Sequence, residues 1–500
     1  MTIDAEHVDV VIVGAGLSGV GAGRYLQAKC PWASFTILEA RDASGGTWDL
    51  FRYPGIRSDS DMYTLGYSFR PWRGDRTIVD GPSILEYIRD TAAETGLDKQ
   101  IRFNSRVTAA SWSSDEARWR VTVEHPDTGE HSELTCGFLF SCTGYYRYDR
   151  GYEPTFPGRA DFEGTIVHPQ SWPQDLDYAD KRVVVIGSGA TAITLIPSMA
   201  ERAAHVTMVQ RSPTYVAAIP AVNPVGFMLH RLLPARIADV AIRWFHALFT
   251  QGFYHLSQHR PGMVKRMLRR GLQRELPPDF PIDPHFTPRY DPWDQRFCVA
   301  PDGDLFKAIR TGKVSVVTGE VERFTPQGVA MRSGDERSGE ELGADIVVTA
   351  TGLELLFAGG MALSVDGTPI ELPSKLVYKG MMIEDVPNFA LAIGYVNASW
   401  TLKCDLTCDY VCRLLNYMRA EGLDQCTPVN EDTSMTAEPV MSLKSGYLLR
   451  AADRMPKQGS RFPWRVHNSY LRDYRALKRR PVNDTAMVFG RTAEKVPASR

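Results

Sequence analysis

Two short apolar strands, each running straight into a glycine turn, constrain this chain more than any other feature. Asp9-Val10-Val11-Ile12-Val13 enters Gly14-Ala15-Gly16-Leu17-Ser18-Gly19, and Arg182-Val183-Val184-Val185-Ile186 enters Gly187-Ser188-Gly189-Ala190-Thr191-Ala192. A β-branched run without polar alternation reads as a strand buried on both faces, as in a parallel sheet. In the first turn Gly14 permits the sharp bend, Gly16 lets the backbone approach a pyrophosphate, and Gly19 lets the next helix pack closely on the strand. The helix N-terminus then offers free N–H groups and a positive dipole end to the phosphates. The second turn repeats the pattern, with Ala192 at the helix-packing position.

The two turns part company at their next strands. After the first, the strand Phe35-Thr36-Ile37-Leu38 ends at Glu39, an acid placed to take a pair of ribose hydroxyls. After the second, His205-Val206-Thr207-Met208-Val209 ends at nearly the same spacing in Gln210-Arg211-Ser212. Losing the acid removes repulsion, and gaining a guanidinium supplies the fork that a 2′-phosphate needs, so Arg211 and Ser212 point to NADPH rather than NADH. The expected fold class is α/β, with two Rossmann-like dinucleotide-binding domains.

A length of 500 residues accommodates two or three domains. Lys+Arg 57 against Asp+Glu 59 gives no global attraction to nucleic acid. Eight cysteines are too sparse for a secreted disulfide scaffold. Asp4, Glu6 and Asp9 lead directly into the first strand, which argues against a signal peptide. No apolar run reaches the roughly 18 residues of a membrane span. These features predict a cytoplasmic protein. Cys404, Cys408 and Cys412, spaced by four, stripe one helical face and read as core thiols rather than a metal site. No metal-ligand cluster is expected, and the lack of a CxxC pair argues against a disulfide reductase.

Between about Tyr215 and His285 the strand–helix alternation stops, and segments such as 237–249 and 263–272 read as helices. Residues 216–280 hold nine Lys or Arg against three acids, interleaved with Trp244, Phe245, Phe249, Phe253 and Tyr254. The plain reading is a helical insertion with a basic solvent face; the sharper one is a peripheral membrane contact.

Two longer motifs carry a resemblance. Gly45-Gly46-Thr47-Trp48 continues through Tyr53-Pro54-Gly55 to Asp59, and Phe162, Gly164, His168, Trp172 and Pro173 form FxGxxxHxxxWP between the two glycine turns. Together with GGTWDLFRYPGIRSDSDMYTLG and NASWTLK, they resemble the type I Baeyer–Villiger flavin monooxygenases, above all their bacterial thioamide-prodrug-activating branch, from Val8 to about Arg475.

The resemblance implies FAD on the first turn, with Gly46, Thr47 and Trp48 beside it and Asn397 in the returning segment. It implies Asp59 near the flavin ring and Arg296 as the active-site arginine, although the sequence around Arg296 departs from the Lys-Arg pair of many members. His168 would hold NADP⁺. The implied domains are 1–145 with 381–500 for FAD, 146–215 with 294–380 for NADP, and 216–293 as the insertion. The implied reaction uses O2 and a flavin C4a-peroxide to convert a small apolar ketone to an ester or lactone, or to oxygenate a sulfide or thioamide. The alternatives are an N- or S-hydroxylating flavin monooxygenase using the hydroperoxide and a non-catalytic redox flavoprotein. Homo-oligomerisation is left open.

Overall fold

Strands buried on both faces need cover on both sides, and the chain supplies it twice; in the second unit helices cover one face and a three-stranded antiparallel sheet, Val321–Thr325, Gly328–Met331 and Glu341–Gly343, covers the other. The computed structural model describes residues 6–295, 297–332, 340–441 and 443–492. In the first unit, β1 (Glu6–Val13) lies parallel between β2 (Phe35–Leu38) and β3 (His131–Ser141) in a nine-stranded sheet. Because β2 and β3 flank β1 on opposite sides, the turn after β1 sits at a topological switch point, where an open α/β sheet leaves a crevice. Helix α1 (Leu17–Lys29) comes directly after that turn. It packs against a long helix, Trp400–Glu421, whose Cys404, Cys408 and Cys412 are buried in the same core.

The second unit is a five-stranded, all-parallel sheet. Its central strand β6 (Arg182–Ile186) lies between β7 (His205–Gln210) and β9 (Ile346–Thr349), with β8 (Val314–Thr318) and β5 (Thr165–Val167) at the edges. The turn after β6 therefore occupies a second switch point, and it leads into helix α2 (Ala190–Ala200). Edge strand β5 is built from the residues between Gly164 and His168.

The two crossings between the units meet. Strand β4 (Tyr146–Gly151) leaves the first unit and β10 (Leu353–Leu355) returns to it, paired antiparallel as a two-stranded ribbon. The chain rejoins the first sheet before residue 381. Ala362–Val365 already pairs in parallel with Arg106–Ser113 in that sheet, with Thr368–Pro369 on its outer side. The early return is silent in the residue pattern, because a four-residue strand has almost no periodic signal.

A short parallel pair, Val216–Ile219 with Cys298–Pro301, brackets the insertion. Within it are α3 (Pro224–Leu232), which lies outside the expected segments, and α4 (Ala235–His259) and α5 (Pro261–Glu275), which extend beyond the two expected helices. The break at Arg260 comes from Pro261, which cannot donate a hydrogen bond but suits the first helical turn.

Candidate functional site

The first glycine turn is shaped by contacts that exclude side chains. Gly14 has φ +101°, and a Cβ there would lie 2.8 Å from the Cys142 carbonyl oxygen. A Cβ on Gly19 would overlap the Gly14 carbonyl oxygen. Gly16 faces Gly46 of the next glycine pair, so two side-chain-free backbones confront each other beside the first turn of α1. Glu39 is buried and accepts hydrogen bonds from the Ala15 N–H at 2.7 Å and the Arg41 N–H at 3.1 Å. Burial pushes its carboxyl above the ordinary glutamate value, against the opposing pull of those N–H groups and of the Arg41 charge.

Ser18, within the first glycine motif and expected there to help bind the cofactor, is buried. Its hydroxyl accepts the Trp400 indole N–H at 2.8 Å and lies 3.4 Å from the Cys404 sulfur. It therefore joins α1 to the Trp400–Glu421 helix, leaving only its backbone N–H in the first turn of α1.

The motif from Trp48 to Asp59 bridges the two units. Trp48 packs on both cores, while Phe51, Tyr53 and Ile56 join the core of the second unit. Gly55 has φ +77° and lies so close to Thr194 and Ser198 of α2 that a Cβ would overlap them. The buried Tyr53 hydroxyl is pushed up to about 12, first by burial and also by Asp59, while Thr194 and Thr191 pull it down. Asp59 is half-buried beside Tyr53, whose hydroxyl reaches Thr191 and Thr194 of α2. Thr47 lies 3.2 Å from the Tyr148 hydroxyl, which tethers the glycine pair to ribbon strand β4.

The second glycine turn is more open. A Cβ on Gly187 would overlap the Ala350 carbonyl oxygen, yet one on Gly189 would meet nothing within 4 Å. Ala192 is buried. The Ser188 hydroxyl donates to the Ser212 carbonyl at 2.8 Å, fixing the loop after β7. Gln210 is buried and donates to the His285 carbonyl at 2.7 Å and to the Thr318 hydroxyl at 3.0 Å. Arg211 and Ser212 are exposed at the strand end, and the Arg211 guanidinium makes no ion pair among the described residues.

The linker grips the ribbon. Phe162 is buried against Phe324, and Gly164 is pressed against the Asp345 carbonyl. His168 Nδ1 accepts the Gln170 N–H at 3.2 Å, which leaves the proton on Nε2, 3.3 Å from the Gly352 carbonyl. Burial pushes the imidazole below its ordinary value. Trp172 packs on the core of the second unit, and Pro173 is exposed. Asn397 is buried; its amide donates to the Asn468 carbonyl at 2.9 Å, and its Oδ1 has no partner among the described residues. Arg296 lies outside the described residues.

Two further residues matter that no sequence motif singles out. The Asp49 carboxylate, 1% exposed, meets Arg41 at 2.6 Å, Arg52 at 2.9 Å and Arg89 at 2.8 Å. It locks the loop after Trp48 to the helix carrying Arg89, and only Arg41 and Arg52 are near enough in sequence to hint at it. Gln170 is buried, and its amide donates to the Arg147 and Tyr148 carbonyls at 2.8 and 3.0 Å. Nothing in the spacing of the linker motif marks that position.

The donor set suits two dinucleotides. At the first turn, paired glycines, free helix N–H groups and Glu39 suit FAD, and the returning segment adds the unpartnered Asn397 Oδ1. At the second, the protein itself leaves room for a side chain at Gly189, so the missing Cβ is room for a pyrophosphate, and Arg211 is available for a 2′-phosphate.

Comparison with known proteins agrees with this geometry. The profile of the flavin-binding monooxygenase-like family matches residues 67–393, and that of an NAD(P)-binding Rossmann-like domain matches residues 12–73. The FAD-containing monooxygenase EthA of Mycobacterium tuberculosis is 51% identical over 487 residues, covering 97% of this chain and 98% of that one. The probable FAD-binding monooxygenase AlmA of Acinetobacter baylyi is 46% identical, with 98% of each chain covered. An oxidized steroid monooxygenase bound to NADP shares the fold at TM-score 0.77 and 22% identity, covering 97% of this chain and 100% of that one. Cyclohexanone monooxygenase in an open form does so at TM-score 0.68 and 21% identity, covering 85% and 90%.

Proposed function

Because the chain belongs to the flavin-binding monooxygenase-like family, we propose that this FAD- and NADPH-dependent monooxygenase inserts one oxygen atom of O2 into small apolar ketones. The balance is ketone, O2, NADPH and a proton giving ester or lactone, NADP⁺ and water. Sulfides and thioamides are the second substrate class, since a sulfur lone pair can take the same oxygen atom. The observation that carries this reading is the bridging loop from Trp48 to Asp59, which packs Trp48 on both cores and sets the Asp59 carboxylate beside Tyr53, against the coenzyme-binding unit.

FAD, reduced by NADPH, supplies the oxygen chemistry. The protein's part is to bind, orient and exclude water. The turn at Gly14, Gly16 and Gly19 holds the FAD pyrophosphate on the α1 dipole, and Glu39 accepts from the ribose hydroxyls. Gly46, Thr47 and Trp48 would line the flavin side, and Asn397 would offer its unpartnered oxygen as an acceptor. At the second turn Gly187, Gly189 and Ala192 cradle the NADPH pyrophosphate, while Arg211 and Ser212 hold the 2′-phosphate. Trp48, Phe51, Tyr53 and Ile56 keep water from the junction, which strengthens every charge interaction inside it. Arg296 is the expected catalytic arginine, whose guanidinium would stabilise negative charge developing on oxygen, with Asp59 as the carboxylate expected to orient it. His168 and Gln170 hold the ribbon that both units share, so a shift at the NADP side is passed to the crossing strands.

The test is a product balance on purified, FAD-loaded protein with isotopically labelled O2. The expected result is one labelled oxygen in the ester for each NADPH consumed. Arg296→Ala should still bind FAD and oxidise NADPH but lose on the order of 10²–10³ in ester formation, with the electrons appearing as hydrogen peroxide. Sulfoxide without any ester would assign the chain to the hydroxylating monooxygenases. NADPH oxidation without any organic product would make it a redox flavoprotein.

A further inference from the structure

Seventeen large hydrophobic side chains are exposed among the described residues, and twelve of them fall between Val222 and Met267. Scattered surface hydrophobes are ordinary; a concentration on one hairpin of helices marks an interaction surface. On α3, Phe227, Met228, Arg231 and Leu232 share a face by their spacing, with Phe227 70% and Leu232 68% exposed. On α4, Ile237, Val240, Leu248 and Phe249 extend it, at 49–64% exposure.

The charges around this face have one sign. Its one acid from Val222 to Arg274 is Asp239, which is buried and bonded to Arg73 at 2.9 Å. Arg231 and Arg236 are exposed and make no ion pair among the described residues. Trp244 of α4 packs on Tyr470 and Tyr474 at 5.2 and 5.3 Å between ring centres, which brings a second basic segment alongside. That segment carries Arg472, Arg475, Lys478, Arg479 and Arg480, all exposed and none ion-paired to a described carboxylate. Its one acid, Asp473, is buried and bonded to Lys403 at 2.8 Å. On α5, by contrast, Lys265 pairs with Asp291 and Arg269 with Asp283, each at 2.6 Å.

We infer that the α3–α4 face, with the basic segment 472–480, docks this protein on the surface of an anionic lipid bilayer. No helix among the described residues is long and apolar enough to cross a membrane. The apolar side chains therefore enter only the headgroup boundary, with arginines at phosphate level. A second copy of the chain fits less well. A two-fold contact would lay this face on itself and set unneutralised cations against the same cations. The proposed reading gives the docking a use, since apolar substrates collect in lipid, but the inference rests on the surface alone.

The experiment is sedimentation of the full-length, FAD-loaded protein with phosphatidylcholine vesicles, with and without phosphatidylglycerol. Binding should be roughly tenfold or more tighter on the anionic vesicles and should be released by salt. Replacing Arg475, Lys478 and Arg479 together by Gln should weaken it on the order of 100-fold. Leu232→Ser with Phe249→Ser should weaken binding on both vesicle types, with FAD content and NADPH oxidation in solution unchanged. Absence of binding, or binding indifferent to both lipid charge and the triple substitution, overturns the inference. A concentration-dependent dimer in sedimentation velocity that Ile237→Glu abolishes gives the face to a second copy instead. Vesicle binding is read without turnover, so it and the ketone assay fail separately.

Discussion

The two dinucleotide turns are built on the same plan, yet one is closed by the protein and the other is left open for a ligand. At the first, Gly19 is pressed on the Gly14 carbonyl, and Glu39 is buried on the Ala15 and Arg41 N–H groups. At the second, the helix-packing position accepts Ala192, Gly189 looks into open space, and Arg211 stands exposed at the strand end. The difference matches a cofactor that stays and a coenzyme that comes and goes. A resident group can be part of the packing, whereas an exchanging one needs a site that stands without it.

The largest break in that comparison should come from giving each turn one methyl group. Gly19→Ala has no room, and overpacking against backbone should cost more than about 3 kcal/mol, giving protein that holds no FAD. Gly189→Ala meets nothing, and its backbone is extended rather than left-handed, so the melting temperature should hold or rise slightly. Its KM for NADPH should nevertheless rise roughly tenfold, because the methyl occupies the pyrophosphate's place. Equal melting losses in the two variants would erase the distinction.

Arg211→Ala sharpens the same contrast. One lost charge-assisted contact should weaken NADPH by roughly ten- to hundredfold while leaving NADH nearly untouched. Steady-state kinetics with both coenzymes decides it, and equal losses would remove Arg211 from the 2′-phosphate.

The smallest effect is expected between the turns, at His168. Its folded value lies below that of the unfolded chain because burial disfavours the imidazolium. Between those two values the unfolded chain binds the proton and the folded one does not, so stability falls as pH drops below about 6.5. His168→Gln should flatten that part of the melting-temperature profile and leave pH 7–8 unchanged. An unaltered slope would locate the acid sensitivity elsewhere.

Most of this site is legible from residues close together in sequence. The strand before each glycine turn and the choice between Glu39 and Arg211 reflect backbone demands satisfied within about thirty residues. The part Ser18 plays in tying two helices together is not legible there, for the opposite reason. Its hydroxyl is taken by Trp400 and Cys404, which lie 382 and 386 residues away in sequence. Gln170 carries no local signal because its partners are carbonyls, which every residue possesses, and only the fold brings Arg147 and Tyr148 to it. Asp49 becomes a hub only when a helix delivers Arg89.

Two dinucleotide turns of opposite preference, joined by a motif-bearing linker, are written in the residues themselves. Those features are local, and a few residues of backbone carry them whatever the rest of the molecule does. The assembled fold alone settles that the Trp48–Asp59 loop spans both units, that the linker grips the shared ribbon, and that basic residues 472–480 lie beside α4. Each of these joins segments distant in sequence. Their meeting depends on which buried surfaces find each other, and no run of residues records that.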